Sequence, residues 1–152
     1  MAPFITRLMH YVHLARRSHT LGVRAVVRDA AGRVFLVKHS YVSGWYLPGG
    51  GVEPGETLFD ALQKELREEG NIHLTGPARL IAVYHNRAAA RRDHVALYEC
   101  PEWTQPAPPD RPNREILDTG FFPLDALPET TTTATLRRLK ELESAGPYDP
   151  LW

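Results

Sequence analysis

Four stretches of alternating or continuous apolar residues predict β-strands, and a fifth leads into Phe122. The four stretches lie at 21–28, 33–39, 78–86 and 93–100. Between the first two, the sequence Asp-Ala-Ala-Gly at 29–32 is typical of a turn. We therefore expect residues 21–28 and 33–39 to pair with each other as a hairpin.

Apolar residues recur at helical spacing in three further stretches, at 4–15, 57–69 and 130–144. Strands and helices in this order predict a mixed α/β (α+β) fold, with a single domain at 21–145. Residues 1–20 are then an N-terminal helical extension, and residues 146–152 are a C-terminal tail. We expect the extension to pack on the domain, or on a second copy of the chain in a homodimer.

The segment before the central helix is rich in glycine and proline. It contains Gly49, Gly50, Gly51 and Gly55, with Pro48 and Pro54 among them. Glycine adopts positive φ freely and proline lacks an N–H donor, so this composition does not form a regular element. The segment predicts a shaped loop that leads into the helix at 57–69, with Thr57 or Glu56 at the N-terminus of the helix.

Three glutamates of this helix fall on its apolar side rather than on its polar side. They are Glu65, Glu68 and Glu69, and they extend the row of Leu58, Ala61 and Leu62. Carboxylates that point toward the protein body are costly unless positive charge compensates them. Mg²⁺ binds carboxylates together with substrate phosphates, so a metal–phosphate site would supply that charge. The alternative is a solvated acidic helix end with local ion pairs, and the adjoining glycine loop favours the metal site over it.

The loop and the helix together resemble the signature box of the Nudix hydrolases. In that pattern a glycine is followed, after five residues, by glutamate and, after seven more, by Arg-Glu-aliphatic-any-Glu-Glu-any-Gly-aliphatic. This chain matches the pattern from Gly50 through Glu56 to Ile72, with Lys64 in place of arginine and Asn71 in place of glycine. Asparagine tolerates the left-handed conformation that ends a helix, whereas an ammonium cannot reproduce the bidentate contact of a guanidinium.

The resemblance implies an α/β/α sandwich with a mixed central sheet, and a pyrophosphohydrolase that uses Mg²⁺ or Mn²⁺. The implied substrate is a small molecule in which a nucleoside diphosphate is linked to another group. The residues implied to hold the metal and to act in catalysis are Glu65, Glu68 and Glu69, with the Gly49 carbonyl as a further metal ligand. The backbone implied to lie along the diphosphate is that of Gly50 and Gly51. The implied support of the box is Glu56, with Lys64 as its charge partner.

One further glutamate is a candidate outside the box. Glu115, followed by two aromatic residues and by Leu-Asp-Ala-Leu-Pro, resembles a pattern found downstream in many Nudix domains. By that likeness Glu115 is a candidate metal contact or general base, alongside Glu68 and Glu69. The alternative is a surface glutamate paired with Arg111 or Arg114.

Two arginines and several aromatic residues are candidates for substrate contacts. Arg24 lies in the strand at 21–28 and Arg87 in the arginine-rich connector at 87–92, and each could contact phosphate. The alternatives are a solvent-facing or ion-paired Arg24 and a solvated hairpin tip at Arg87. The aromatic residues that could stack on a base, or belong to the core, are Trp45, Tyr46, Tyr84 and Phe121.

Composition narrows the class of partner. Lys and Arg total 18, as do Asp and Glu, so the chain has no formal net charge. This balance argues against binding to long nucleic acid or to an anionic membrane, and no apolar run approaches the length of a membrane span. The single cysteine, Cys100, excludes an intramolecular disulfide framework and favours a cytoplasmic setting. The main rival function is a Nudix-like domain that senses a nucleotide or metabolite without hydrolysing it.

Overall fold

The structure of the protein, a computed structural model, describes residues 9–12, 15 and 18–152. Residues 9–12 and 15 are helical, and the rest of the helix predicted at 4–15 lies outside the described residues. The strands from residue 18 onward are β1 (Thr20–Val27), β2 (Val34–His39), β3 (Trp45–Tyr46), β4 (His73–Leu74), β5 (Arg79–His85), β6 (Asp93–Cys100), β7 (Trp103–Thr104) and β8 (Ile116–Phe122). The helices of this part are α1 (Leu58–Gly70) and α2 (Thr133–Glu143).

The strands form a mixed arrangement, as expected. Strand β1 pairs in parallel with β6, and β6 pairs antiparallel with β5. Strand β2 pairs antiparallel with both β3 and β8, and β4 pairs antiparallel with β7. The strands predicted at 78–86 and 93–100 are therefore confirmed as β5 and β6, which pair with each other as a hairpin.

Two apolar clusters lie on opposite sides of β1. Val27 packs with Leu62 of α1 in one cluster, whereas Val26 packs with Leu139 of α2 in the other. Successive side chains of a strand point to opposite faces, so β1 contributes to both clusters and is buried on both sides. The helices α1 and α2 therefore cover opposite faces of the strands, which is the α/β/α sandwich.

The hairpin predicted for residues 21–28 and 33–39 is wrong. Strand β1 takes β6 as its partner and β2 takes β3 and β8, and β1 and β2 are linked by one bridge, between Arg28 and Val34. The turn itself forms, because a carboxylate oxygen of Asp29 accepts hydrogen bonds from the N–H groups of Ala31 and Arg33. A turn reverses the chain without deciding which strands pair, and the two-sided burial of β1 places it beside β6.

The central helix begins and ends where its sequence predicts. Thr57 is the N-cap, and it exchanges hydrogen bonds with Asp60 in a capping box. At the other end Asn71 is the C-cap in the left-handed conformation, with φ of 50°. The Asn71 side chain also donates to the Ala107 carbonyl and contacts His73. Asparagine thus replaces the glycine of the box without loss of the helix stop.

Replacing Asn71 by alanine is expected to lower the free energy of unfolding by about 1–2 kcal/mol, because alanine is disfavoured in the left-handed conformation. Asn71→Gly adopts that conformation freely and loses only the side-chain hydrogen bonds, so its loss of stability should be smaller. Urea unfolding of the two variants beside the parent protein measures the difference. Equal losses in both variants would show that the backbone conformation of Asn71 is not the reason.

The segment predicted as a C-terminal tail packs against the domain. Leu151 bridges to His85 of β5, and the N–H of His85 donates to the Pro150 carbonyl. Arg138 of α2 is fully buried, donates to the Leu151 carbonyl and lies 4.3 Å from the centroid of the Tyr84 ring. The segment therefore extends the β5 side of the sheet.

Candidate active site

The glycine loop is bound along the edge of β1 by backbone hydrogen bonds. The N–H groups of Val23 and Ala25 donate to the carbonyls of Gly50 and Pro48, each over 2.9 Å. Gly49 has a φ of 145°, and a Cβ atom there would meet the Val23 carbonyl at 2.0 Å. Only glycine fits between the loop and the strand at this position. The loop therefore has a fixed shape.

Arg24 supports this loop. Its Nη1 atom donates to the carbonyls of Leu47 and Gly49, over 2.8 and 3.0 Å. These bonds differ from both alternatives for Arg24, which were a solvent-facing and an ion-paired side chain. The Nη1 group donates to the loop and is not free to bind phosphate. The Gly49 carbonyl accepts this bond with one lone pair, so its role as a metal ligand stays a prediction.

The three box glutamates differ in their surroundings. Glu69 is buried. Its Oε2 atom accepts a hydrogen bond from the Gly49 N–H, and its Oε1 atom lies beside His39 Nε2, each over 2.7 Å. The Glu65 side chain is 16% exposed and its carboxylate lies against Gly50. Glu68 is exposed. Glu68 therefore departs from the expectation that all three carboxylates point into the protein body, because its side chain is exposed.

Glu65 carries the strongest electrostatic signal of the three. Burial, followed by repulsion from Glu69 and Glu68, raises its pKa from 4.5 to about 7. The Glu69 and Glu68 carboxylates oppose the ionisation of Glu65, and Lys64 and Arg24 offset only part of this effect. The site therefore has an excess of negative charge that a cation would relieve.

The box glutamates share a cavity with Glu115. This cavity, which we call the glutamate cavity, measures about 380 Å³ and is lined by Glu65, Glu68, Glu69, Asn113, Arg114, Glu115 and Ile116. Within the described residues Glu115 forms a salt bridge with neither Arg111 nor Arg114, and Arg111 instead pairs with Asp118 at 3.0 Å. The surface-pair alternative for Glu115 is therefore not what the structure contains.

Lys64 contacts Glu56 in the way the sequence suggests. The Nζ atom of Lys64 donates to both oxygens of Glu56, over 2.9 and 3.0 Å, and lies 3.9 Å from Glu65. The hydrogen bond to Glu56 raises the pKa of Lys64. The Lys64 ammonium thus lies between Glu56 and Glu65, although it lacks the planar geometry of a guanidinium. Its contribution to activity stays a prediction.

A second cavity adjoins the glycine loop. This glycine-loop cavity also measures about 380 Å³, and its lining includes Arg24, Tyr41, Gly49, Gly50, Gly51, Asn86, Ala89, Asp93 and Trp152. Gly50 and Gly51, predicted to contact the diphosphate, thus border this cavity. Arg87 is exposed in the connector between β5 and β6, where its neighbours Asn86 and Ala89 line the cavity. Whether Arg87 reaches phosphate stays a prediction.

The assignment of Tyr84 to the substrate site is wrong. Tyr84 is 0% exposed, and its hydroxyl donates to Glu141 beneath α2. Trp45 is also buried and packs on Phe122. Both residues alternate into the cluster on the α2 side of the strands, away from the glycine loop. Strand periodicity alone does not tell which face of a two-sided sheet borders a site.

Two residues that sequence reasoning missed lie at the site. Tyr41 is 72% exposed and lines the glycine-loop cavity. Partial desolvation of its hydroxyl and the carboxylate of Glu69 raise its pKa. His39 contacts Glu69 directly, at 2.7 Å. Both follow the Val-rich centre of β2, and no motif in the sequence marks them.

The oxygen-rich donor set suits Mg²⁺ or Mn²⁺, which prefer carboxylate and phosphate oxygens. The excess negative charge at Glu65, Glu68 and Glu69 also fits a cation. Over residues 9–12, 15 and 18–152, no three His, Cys, Asp or Glu side chains converge tightly enough to hold an ion as they stand.

Comparison with known proteins gives the family. A model of the NUDIX domain matches residues 18–142. The chain is 41% identical over 64 residues to 8-oxo-dGDP phosphatase NUDT18 of Homo sapiens, covering 40% of this chain and 20% of that protein. It is 33% identical over 69 residues to RNA pyrophosphohydrolase of Legionella pneumophila, covering 42% of this chain and 39% of that protein. The MutT NUDIX hydrolase of Burkholderia pseudomallei superposes with a TM-score of 0.69 and 27% identity, covering 81% of this chain and 97% of that one.

The chain belongs to the NUDIX family, because the family model covers most of its length. The matched segments span between 20% and 39% of the length of the first curated relatives. In the part of the chain that the structure describes, no helix has the length and apolar character needed to cross a membrane.

Proposed function

We propose that this protein is a divalent-metal-dependent hydrolase that cleaves the phosphoanhydride bond of a nucleoside diphosphate linked to another group. The observation that carries the proposal is the glutamate cavity, in which Glu65, Glu68, Glu69 and Glu115 surround one space beside the glycine loop. Hydrolysis of a phosphoanhydride requires neutralised phosphate charge, a positioned water and a group that accepts its proton. The cavity offers residues for each requirement.

The proposed metal ligands are the box glutamates, with Glu115 facing them across the cavity. A bound Mg²⁺ or Mn²⁺ would supply positive charge for the diphosphate. Glu69 is held by the glycine loop and His39, so its carboxylate is already oriented. Glu68 and Glu115 are exposed and free to turn toward a ligand.

We propose Glu68, Glu69 and Glu115 as the candidates for the proton acceptor, because all three line the same cavity. Glu65 is counted among the metal ligands, since its pKa of about 7 belongs to the metal-free site and a bound cation would lower it. Its carboxylate lies against Gly50, where the loop would meet the diphosphate, and Lys64 lies 3.9 Å away.

The relatives suggest which nucleotides to try. One is named as an 8-oxo-dGDP phosphatase and another as an RNA pyrophosphohydrolase. Oxidised deoxynucleoside diphosphates and triphosphates, RNA with a 5′-triphosphate, ADP-sugars and dinucleoside polyphosphates therefore form the test panel. The cytoplasmic location and the homodimer expected from the sequence stay predictions.

Product release from this panel, with Mg²⁺, with Mn²⁺ and with chelator, tests the proposed function. We expect phosphate, pyrophosphate or nucleoside monophosphate to appear only when a divalent metal is present. Binding of nucleotides without product from any compound would instead support the sensing function, in which the same cavity holds a ligand and leaves it intact.

A further inference from the structure

We propose that His39 is a positioning residue that holds the Glu69 carboxylate against the glycine loop. The consequence for turnover rests on the proposed function, whereas the positioning itself does not. His39 is the last residue of β2, is 4% exposed, and places Nε2 at 2.7 Å from Glu69 Oε1. We take Nε2 as the donor of this hydrogen bond and the Glu69 oxygen as its acceptor.

This contact joins three separate parts of the chain. Oε1 of Glu69 accepts a hydrogen bond from His39 at the end of β2, and Oε2 accepts one from the Gly49 N–H in the loop, also over 2.7 Å. Glu69 itself lies in the last turn of α1. A Cβ atom at Gly49 would meet the Val23 carbonyl at 2.0 Å, so the loop lies close against β1 where it donates to the carboxylate. Its remaining lone pairs are left for a ligand in a defined direction.

The backbone of β2 is shaped so that His39 makes this contact. The pairing of β2 with β8 shifts register between Lys38 and His39. Such an irregularity redirects the side chain that follows it, and it is common beside active sites. The rings of Tyr41 and Tyr46 then pack on the imidazole, with centroids 5.2 and 5.6 Å away.

A histidine that served only to fill space at this position would be energetically unfavourable. The Nδ1 atom of His39 is buried and has no hydrogen-bond partner among the described residues. A buried polar atom without a partner costs free energy, which an apolar residue of similar size would avoid. Among the described residues, the hydrogen bond that the His39 side chain does make is the one to Glu69. The hydrogen bond from Nε2, which positions the Glu69 carboxylate, therefore explains why a histidine with an unpartnered Nδ1 atom is found here.

The amide proton of Gly49 reports on the Glu69 carboxylate, because both belong to the same hydrogen bond. We would assign it by NMR in the metal-free protein and compare His39→Leu, which removes the donor, with His39→Gln, whose amide can replace Nε2–H. His73→Leu is the control, since His73 contacts Asn71 and lines neither cavity. Mn²⁺ affinity, measured by the EPR signal of the free ion, is the second readout, and steady-state kinetics is the third.

We expect His39→Leu to move the Gly49 amide resonance upfield and to weaken Mn²⁺ binding by about 10–100-fold, the usual effect of losing a partner of a metal ligand. His39→Gln and His73→Leu should leave the Gly49 amide resonance near its parent position. Both should leave the Mn²⁺ affinity within about threefold of the parent. An unchanged Gly49 resonance and unchanged Mn²⁺ affinity in folded His39→Leu would overturn the proposal. If His39→Leu does not fold, His39→Gln decides: a Gly49 resonance at the parent position supports the proposal, and a resonance displaced as far as in Glu69→Gln overturns it.

The two proposals fail separately. A parent protein that hydrolyses no compound of the panel refutes the proposed function, yet the Gly49 resonance still decides the positioning. A parent protein that hydrolyses its substrate, beside a His39→Leu variant with unchanged kcat, KM and Gly49 resonance, refutes the positioning alone.

Discussion

Replacing Glu68 by glutamine is expected to lower kcat by about 10²–10³-fold, the usual loss when a charge that stabilises the transition state is removed. Glu68 is exposed, lines the glutamate cavity and makes no structural contact comparable to that of Glu69. The substitution keeps the size of the side chain and removes its charge. Stability should therefore stay within about 0.5 kcal/mol of the parent, and the loss should appear in turnover alone.

The matched control for this prediction is Glu129→Gln, which changes an exposed glutamate outside both cavities. Initial rates of product release at saturating substrate, with thermal unfolding of both variants, make the comparison. Full activity in Glu68→Gln would remove Glu68 from the catalytic machinery. An equal loss in Glu129→Gln would mean that any loss of surface charge is responsible.

The metal-free protein is expected to lose stability as the pH rises from about 5 to about 8. The folded protein holds the Glu65 proton up to a pKa of about 7, whereas the unfolded chain releases it near 4.5. Between these values the folded state binds more protons than the unfolded state, so the free energy of unfolding falls with pH and then levels off. The loss attributable to Glu65 is at most about 3 kcal/mol.

Glu65→Gln removes this titration, so its advantage over the parent should be small at pH 5 and largest at pH 8. Urea unfolding across this range, with chelator present, measures it. Adding Mg²⁺ at pH 8 should stabilise the parent more than the variant, because the cation relieves the same repulsion. Parallel pH profiles for the parent and Glu65→Gln would contradict a raised pKa at Glu65, and Glu129→Gln controls for net charge.

The central helix was predictable because local rules determine it. Thr57 and Asp60 form the capping box, and Asn71 takes the left-handed conformation at the end of the helix. Each of these features depends on residues within a few positions in sequence. The grouping of Glu65 and Glu69 toward the loop followed from helical periodicity for the same reason.

The strand partners, and the site residues contributed by the end of β2, were not predictable in this way. The parallel pairing of β1 with β6 joins residues more than seventy positions apart, and nothing near β1 encodes it. Tyr84 satisfies the pattern of a strand on either face, and packing against α2 and Trp152 buries it. His39 and Tyr41 reach the site through the irregular end of β2, which depends on the pairing of β2 with β8.

The two departures from the Nudix box differ in their physical consequences. Asn71 preserves the backbone conformation that glycine would adopt. Lys64 preserves the charge and the contact with Glu56, but through a single Nζ atom in place of a planar group with several donors. Lys64→Arg is therefore compatible with the same partner.

The most direct test of phosphoanhydride hydrolysis by this protein is incubation of the panel in ¹⁸O-labelled water, followed by mass analysis of the products. We predict that the label enters one phosphate-bearing product, that this requires Mg²⁺ or Mn²⁺, and that Glu68→Gln suppresses it while Glu129→Gln does not. Nucleotide binding with no labelled product from any compound, in folded protein with metal present, would contradict a hydrolase and favour a sensing domain.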